Sequence, residues 1–477
     1  MDIALNIEGG RRVTDQLYTA LRQAILEGRL ARGERLPSTR ELSWRLTLAR
    51  GTINEAYARL ISEGYVDARR GSGTFVALSA LKFDAKAAGA DRALRRAETA
   101  WARRLGTPHA IIPDRDLPFD FRPGLPDLAA FPVAVWRRLL ARKLKTLSRE
   151  IGRYGDPAGN LSLRRTIARY LSHSRAVLCS PENVIVTSGA QQALDIVARL
   201  LVEPGSAVAM ENPGYPLATS LFRAHGADVT PVAVDEQGLE TERLSARVRC
   251  VYVTPSHQFP LGVTMSLARR RALLEWARKR QAVVIEDDYD SEFRYGGRPL
   301  ESLQGLDRSG HVIYLGTFSK VLFPGLRLGY VVVPAWLREK FVAAKWLLDR
   351  HTPALEQSVM AEFMAEGHFN RFMRQMQRVY GRRREVLIAA LRRFFGPRLR
   401  LLESHAGLHV AGFLDRDIDA DELIRRAYES GVGLYSIEPF YLRRPRQGLI
   451  LGYGACSEAD IGEGIRRLRG ILESLRA

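Results

Sequence analysis

From Asn183 onward the chain alternates short β-rich runs with helical ones. "NVIVT", "AVAME", "CVYVTP", "AVVIEDDY" and "HVIYLG" are separated in part by runs such as "GAQQALDIVARLL" and "SLARRRALLEWARKR". Strands joined through helices run parallel, and a parallel sheet must be covered on both faces. The alternation therefore predicts an α/β fold with a mostly parallel central sheet. In such folds ligands gather in the loops that follow strand ends.

The chemistry-bearing residues sit at those ends. Lys320 follows "VIYLG" within "GTFSKVLFPGLRLGY". A lysine buried in such a loop loses its proton readily and attacks aldehydes, which is how pyridoxal phosphate is held as a Schiff base. A solvated surface lysine is the ordinary alternative, so the case rests on the neighbouring residues. "VIEDDYD" ends a strand in acids, and Asp287 or Asp288 could pair with a pyridinium nitrogen while its neighbour points away. "VTSGAQQALDIV" is a strand, a small-residue turn and a helix start, so the backbone N–H groups of Ala190 and Gln191 can cradle a phosphate. Thr317, Ser319 and Arg327 can add hydroxyl and guanidinium bonds to the same dianion. Tyr215, in "ENPGYP", offers a ring face. Together these residues form an aldehyde trap, a nitrogen partner and a phosphate cup. A serine hydrolase built on Ser319 and Lys320 is not expected, because Thr317 stands where an S-x-x-K motif needs its serine.

The N-terminal segment has a different character. "VTDQLYTALRQAILEGRL" puts Val13, Leu17, Leu21 and Ile25 on one helical face, with Thr14 available as a cap and Gly28 near the end. "RLPSTRELSWRL" carries Ser38 and, three residues on, Glu41, a capping box that predicts a second helix starting at Ser38. "ARGTINEAYARLISEGY" supplies a third helix facing inward through Ile53, Ala56, Tyr57 and Leu60. "GYVDARRGSGTFVA" adds two short strands joined by a basic turn. A helix-turn-helix followed by a basic hairpin is suited to double-stranded DNA, the third helix entering the major groove while arginines meet phosphates. Arg40, Arg50, Thr52, Asn54 and Arg70 are the candidate contacts.

With 477 residues the chain is long enough for two to three domains. We read residues 1–77 as the DNA-binding domain, 78–117 as a linker rich in Ala and Arg, and 118–477 as the ligand-binding domain. The net charge of +19 favours a polyanionic partner. Cys179, Cys250 and Cys456 lie far apart, so neither a zinc site nor a disulfide scaffold is expected, and no other metal is called for. No apolar run long enough to span a membrane occurs, and the first residues lack an apolar signal core. A cytoplasmic protein is expected.

The N-terminal motifs "LPSTRELS", "ARGTINEAYARL" and "GSGTF" resemble the GntR-type winged helix. That resemblance implies that Arg40, Arg50 and Asn54 contact DNA and that Arg70 with Gly71 forms the wing tip. Residues 118–477 resemble fold type I aminotransferases. The pattern implies Lys320 as the Schiff-base lysine, Asp287 as the pyridinium partner, Tyr289 as the phenol on the cofactor's 3-oxygen, and Arg327 as a phosphate ligand. Tyr154 in "YGDPAGNLSLRR" matches the tyrosine that reaches the phosphate from the other subunit, implying a homodimer. The two together, with "FRPGLPDLAAFP", "TSGAQQALD", "ENPGY", "TPSHQFPLG" and "EDDYDSEFRY", are similar to MocR-type regulators. Members of that group include GabR-like and PdxR-like proteins. A head-to-tail homodimer is implied, with a smaller α+β subdomain beside the main sheet and a small-molecule effector: an amine, an amino acid or a B6 vitamer. Two positions depart from a working aminotransferase. Phe259 stands where many carry an asparagine beside the 3-oxygen. Ile450, with Arg446 as the nearest alternative, stands where they carry the arginine that clamps the substrate's α-carboxylate. Losing that clamp would cost on the order of 2 to 3 kcal/mol of amino-acid binding. An active aminotransferase with an accessory DNA-binding domain is the alternative reading.

Overall fold

The computed structural model describes residues 13–78, 98–106, 112–113, 116–145, 152–296 and 301–474. The chain divides into two compact units, 1–98 and 99–477.

In the first unit three helices, Val13–Leu26, Thr39–Leu46 and Arg50–Ser62, precede an antiparallel hairpin of Val66–Arg69 and Gly73–Val76. Leu17, Leu21, Ile25, Ile53, Tyr57 and Leu60 are buried together with Val66 and Val76, so the helical stripes and the hairpin share one core. Ser38 caps the second helix by accepting from the Glu41 N–H at 3.2 Å. The Glu41 side chain does not close the box; it pairs with Arg45 at 2.6 Å instead. Thr14 lies inside the first helix rather than capping it, and its hydroxyl reaches Glu55.

The second unit is built on an eight-stranded sheet. Its order is Val184–Thr187, Gly329–Val332, Val312–Thr317, Val283–Asp288, Val248–Val253, Ala207–Asn212, Asp228–Asp235 and Gly238–Leu239. Gly329–Val332 and Gly238–Leu239 are antiparallel to their neighbours, and the other six strands point the same way. Val184–Thr187 and Val312–Thr317 are buried at every position, as strands covered on both faces must be. Gly316 is needed within its strand, because a Cβ there would lie 2.3 Å from the Tyr330 ring.

A smaller subdomain carries the antiparallel order Leu399–Leu401, His409–Leu414, Gly448–Gly452, Tyr435–Ser436. The long helix His368–Phe395 and the helix Glu458–Ser474 pack together beside it. Within the stretch read as a linker, the short helix Ala100–Arg104 belongs to the second unit: Trp101 meets His225 edge-on at 6.3 Å. The three cysteines are free thiols, and burial pushes those of Cys250 and Cys456 up to about 12. No helix among the described residues is long and apolar enough to cross a membrane.

Candidate functional site

The C-terminal ends of the aligned strands converge as their topology requires. Val312–Thr317 and Gly329–Val332 are joined by residues 318–328, closed where the Phe318 N–H donates to the Leu328 carbonyl at 3.0 Å. Lys320 sits in this loop, partly buried, with no hydrogen bond or ion pair among the described residues. Burial lowers the pKa of its ammonium, opposed by the charges of Asp290 and Asp287, while Arg122 lowers it further. Gly124, at φ +77°, makes room for the amine: a Cβ there would stand 3.0 Å from Lys320 Nζ.

Asp287 and Asp288 end one strand and face opposite ways. Asp288 is tied to a cation, its Oδ2 accepting from Arg175 at 2.8 Å and Tyr314 at 2.6 Å while its buried Oδ1, like that of Asp287, has no partner. Asp287 accepts from the Tyr252 hydroxyl at 2.6 Å through Oδ2, while its buried Oδ1 has no partner. Burial pushes the Asp287 carboxyl up to about 6. A cationic ring N–H would satisfy that oxygen and lower this cost.

The second converging element is the helix Ala190–Leu201. Gly189 precedes it at φ +88° without a side-chain cap, so the first N–H groups, those of Ala190 and Gln191 among them, have the orientation of an anion cradle. Arg327 lies across this turn, donating to the Ser188 carbonyl at 3.0 Å, and a Cβ on Gly189 would come 3.2 Å from its guanidinium. The buried Ser319 Oγ has no partner, and the Ser319 N–H donates to Thr317 Oγ1 at 3.2 Å. Gln191 Oε1 is buried and unpartnered as well. Tyr215 links the two ends: burial and Asp287 raise the pKa of its phenol, and Arg327 lowers it. The donor set fits pyridoxal phosphate, with an unpaired carboxylate oxygen for the ring nitrogen, an unpaired hydroxyl with helix N–H groups and a guanidinium for the phosphate, and an unpaired lysine for the aldehyde.

Tyr289 donates its hydroxyl to the His257 carbonyl at 2.9 Å. Phe259 packs edge-on against Tyr215, Tyr289 and Phe440, so an apolar ring fills the place of a hydrogen-bonding side chain. Tyr154 stands apart: it is exposed, with Arg350 over its ring at 4.1 Å and His351 beside it. Ile450 is fully buried in an apolar cluster with Leu261, Val263, Ile437 and Phe440. Arg446 is exposed and lies over the Phe413 ring at 3.6 Å, lining a cavity of about 560 Å³ with Arg243, Arg400 and Arg443.

In the first unit Arg40, Arg50, Asn54, Arg70 and Gly71 are exposed, and Thr52 is half-buried. Among the described residues Arg40, Arg50 and Arg70 have no carboxylate partner, whereas Arg45 and Arg59 are neutralised by Glu41 and by Asp15 and Glu63. The third helix begins at Arg50 without a side-chain cap; the Thr52 N–H donates to the Ala49 carbonyl at 3.0 Å, and the N–H groups of Arg50 and Gly51 have the orientation of an anion cradle.

Sequence reasoning passed over several residues of this site. Tyr252, Gly124 and Arg122 meet Asp287 or Lys320 only through the fold, from positions distant in the chain. Gln192 takes the Ser188 N–H at 2.8 Å and donates to Asp349, which the buried Lys345 holds at 2.8 Å. The turn before the helix Ala190–Leu201 is thus braced from behind.

Two family models match the chain in order. "Bacterial regulatory proteins, gntR family" matches residues 13–76 and "Aminotransferase class I and II" matches residues 125–468. The chain is 38% identical over 467 residues to the probable rhizopine catabolism regulatory protein MocR of Rhizobium meliloti, covering 97% of this chain and 94% of the relative. The chain belongs to the MocR-type regulators. Another similar MocR-type protein is the pyridoxine biosynthesis transcriptional regulator PdxR of Corynebacterium glutamicum, 30% identical, with 96% and 95% of the two chains covered. Among solved structures, LysN, an α-aminoadipate aminotransferase from Thermus thermophilus complexed with a phosphopyridoxyl-leucine, is 32% identical with a TM-score of 0.72. The match covers 80% of this chain and 98% of LysN, so the MocR-type chain carries a fold type I aminotransferase domain beside its GntR-type helix-turn-helix.

Proposed function

We propose that this MocR-type regulator binds pyridoxal phosphate through Lys320 and uses its occupancy, or that of a small amine, amino acid or B6 vitamer, to control how its winged helices engage an operator. The observation that carries this reading is the pair of unpartnered buried acceptors, Asp287 Oδ1 and Ser319 Oγ, in one site with an unpaired lysine. When bound, the cofactor supplies an electrophilic aldehyde and an electron-accepting ring. Lys320 anchors it, Asp287 holds the ring nitrogen's proton, and Tyr215 covers a ring face. Ala190, Gln191, Thr317, Ser319 and Arg327 hold the phosphate, with Tyr154 contributed by the partner of a head-to-tail homodimer. On the DNA side Arg40, Arg50, Thr52, Asn54, Arg70 and Gly71 form the contact surface, and a cytoplasmic location follows from that role.

Regulation is favoured over efficient transamination by Ile450. A buried aliphatic side chain at the place assigned to the carboxylate clamp cannot orient an amino acid for proton transfer, and Arg446 points elsewhere. For ligand to act allosterically it must bind one arrangement of the dimer better than another. The test is borohydride reduction of the cofactor-loaded protein followed by peptide mapping, with the Lys320→Ala variant as control. The cofactor mass is expected on Lys320, and the variant is expected to lose the yellow absorption band while keeping its circular dichroism. Label on another lysine, or an unchanged spectrum in the variant, refutes the site. Substantial turnover with a common amino acid refutes the preference for regulation.

A further inference from the structure

Three buried titratable side chains border the site without a role in the reading above. His257, Asp290 and His409 are 2%, 1% and 1% exposed. They place one potential ligand atom each within 4.8 Å of one another, as a metal site would. Most of their polar atoms are already hydrogen-bonded in another way, although the buried His257 Nε2 has no partner. His257 Nδ1 lies 3.0 Å from both Asp290 oxygens. An ionised carboxylate only accepts, so Nδ1 carries the hydrogen and donates it to Asp290. His409 Nε2 donates to the Pro260 carbonyl at 3.1 Å, and its ring lies tilted by 40° against His257 with centroids 4.4 Å apart. Burial and the neighbouring His257 drive the His409 pKa well below the usual range, which keeps that ring neutral.

Tyr289 joins this group. Its hydroxyl oxygen is 3.1 Å from His257 Nδ1 and 2.9 Å from the His257 carbonyl. The Nδ1 hydrogen also lies within reach of the phenol oxygen, so Tyr289 accepts from His257 Nδ1 and keeps one hydrogen of its own, which goes to the His257 carbonyl here and turns to a bound ligand's oxygen when one is present. The imidazole is held from several sides. A Cβ on Gly407 would come within 2.0 Å of it and one on Gly262 within 3.2 Å of Nε2, while Asp290 is itself fixed by the Leu408 N–H at 3.1 Å. His257 is therefore a wall of fixed orientation against which the phenol is set.

We infer that His257, oriented by Asp290, is a positioning residue for the Tyr289 phenol, and that it thereby sets how tightly the bound cofactor retains its proton. The inference rests on the cofactor reading above. Phe259 gives the cofactor's 3-oxygen no hydrogen bond, so Tyr289 carries that task, and the direction of its hydroxyl decides how well it does so. Donation to that oxygen stabilises its anion. The charged groups that act on these residues are Asp287, Asp288, Asp290 and Glu211 on Tyr289; Asp290, Asp287 and Arg122 on Lys320; and His257 and Lys320 on His409. None of these except His257 and Asp290 is altered by the variants that test the inference.

The experiment titrates the yellow band of full-length, cofactor-loaded protein with pH. Tyr289→Phe and His257→Leu are each expected to raise the midpoint by about one pH unit, because each removes stabilisation of the anion. The double variant is expected to move the midpoint no further than Tyr289→Phe alone, since the two residues act as one unit. His257→Asn, whose amide can replace the Nδ1 donor, is expected to restore the wild-type midpoint. A wild-type midpoint in loaded His257→Leu, or full additivity in the double variant, overturns the inference. Should His257→Leu fail to fold, Asp290→Asn reads the same contact, and an unchanged midpoint there overturns it as well. Absence of any yellow band in the wild type refutes the cofactor reading itself, a result distinct from a band whose midpoint ignores His257.

Discussion

Asp287→Asn should act in opposite directions on the empty and the loaded protein. Burial raises the Asp287 carboxyl from 3.8 to about 6. A tenfold change in an ionisation constant corresponds to about 1.4 kcal/mol, so holding this carboxylate ionised costs the cofactor-free protein about 3 kcal/mol at pH 7. Asparagine removes that charge and keeps an oxygen for the Tyr252 hydroxyl, which donates to Asp287 at 2.6 Å. Its amide N–H2 then occupies the unpartnered Oδ1 position, a buried unsatisfied donor costing about 1 to 2 kcal/mol. The cofactor-free variant should therefore be more stable than wild type by about 1 to 2 kcal/mol at pH 7 in chemical denaturation. The advantage depends on pH. Between 3.8 and about 6 the folded wild type holds more protons than the unfolded chain, so its stability falls as pH rises through that window. The variant's advantage should accordingly vanish towards pH 4. With pyridoxal phosphate present, the substitution loses a charge-assisted bond of about 1.5 to 3 kcal/mol, and cofactor affinity should drop about 10- to 150-fold in a direct titration. A cofactor-free variant less stable than wild type at pH 7, or a gap that does not narrow towards pH 4, refutes the reasoning.

Arg50→Ala should weaken operator binding by about 1 to 3 kcal/mol in a gel-shift titration if it reads a base, whereas Arg45→Ala, whose charge Glu41 already neutralises, should do far less. Equal losses would place the recognition surface elsewhere. Arg175→Met should destabilise the second unit by about 3 to 5 kcal/mol in denaturant melts, because it strands the buried Asp288 carboxylate. A loss under about 1 kcal/mol would mean that Tyr314 alone suffices for Asp288.

The parts of this molecule legible in the sequence are those governed by local rules. Short runs of β-branched apolar residues locate the strands, and a parallel sheet puts its useful side chains at strand ends. Lys320, Asp287, Ser319 and the Gly189 turn accordingly lie in one region. Alternation along a strand also explains why Asp287 and Asp288 have different surroundings, though it could not say which faces the site. The residues that escaped notice act across long chain distances. Tyr252 meets Asp287 from the next strand, and His257 meets Asp290 from a loop 33 positions away. The same limit explains Thr14: a capping residue is recognised by what precedes the helix, and the helix includes Val13. At Glu41 two local rules compete, and the i,i+4 partner Arg45 wins over the capping box.

The antiparallel strand Gly329–Val332, wedged between Val184–Thr187 and Val312–Thr317, has a consequence for signalling. It pins both ends of the Lys320 loop to the sheet, and its first residue packs so closely on the Gly189 turn that a Cβ on Gly329 would lie 2.9 Å from Gly189 Cα. The Lys320 loop and the Gly189 turn, the two places where the reading proposed above anchors the cofactor, are thus tied to one sheet through the same strand. On that reading a bound ligand would act on the sheet as one unit, and its effect would pass to the small subdomain through contacts such as the Leu408 N–H on Asp290.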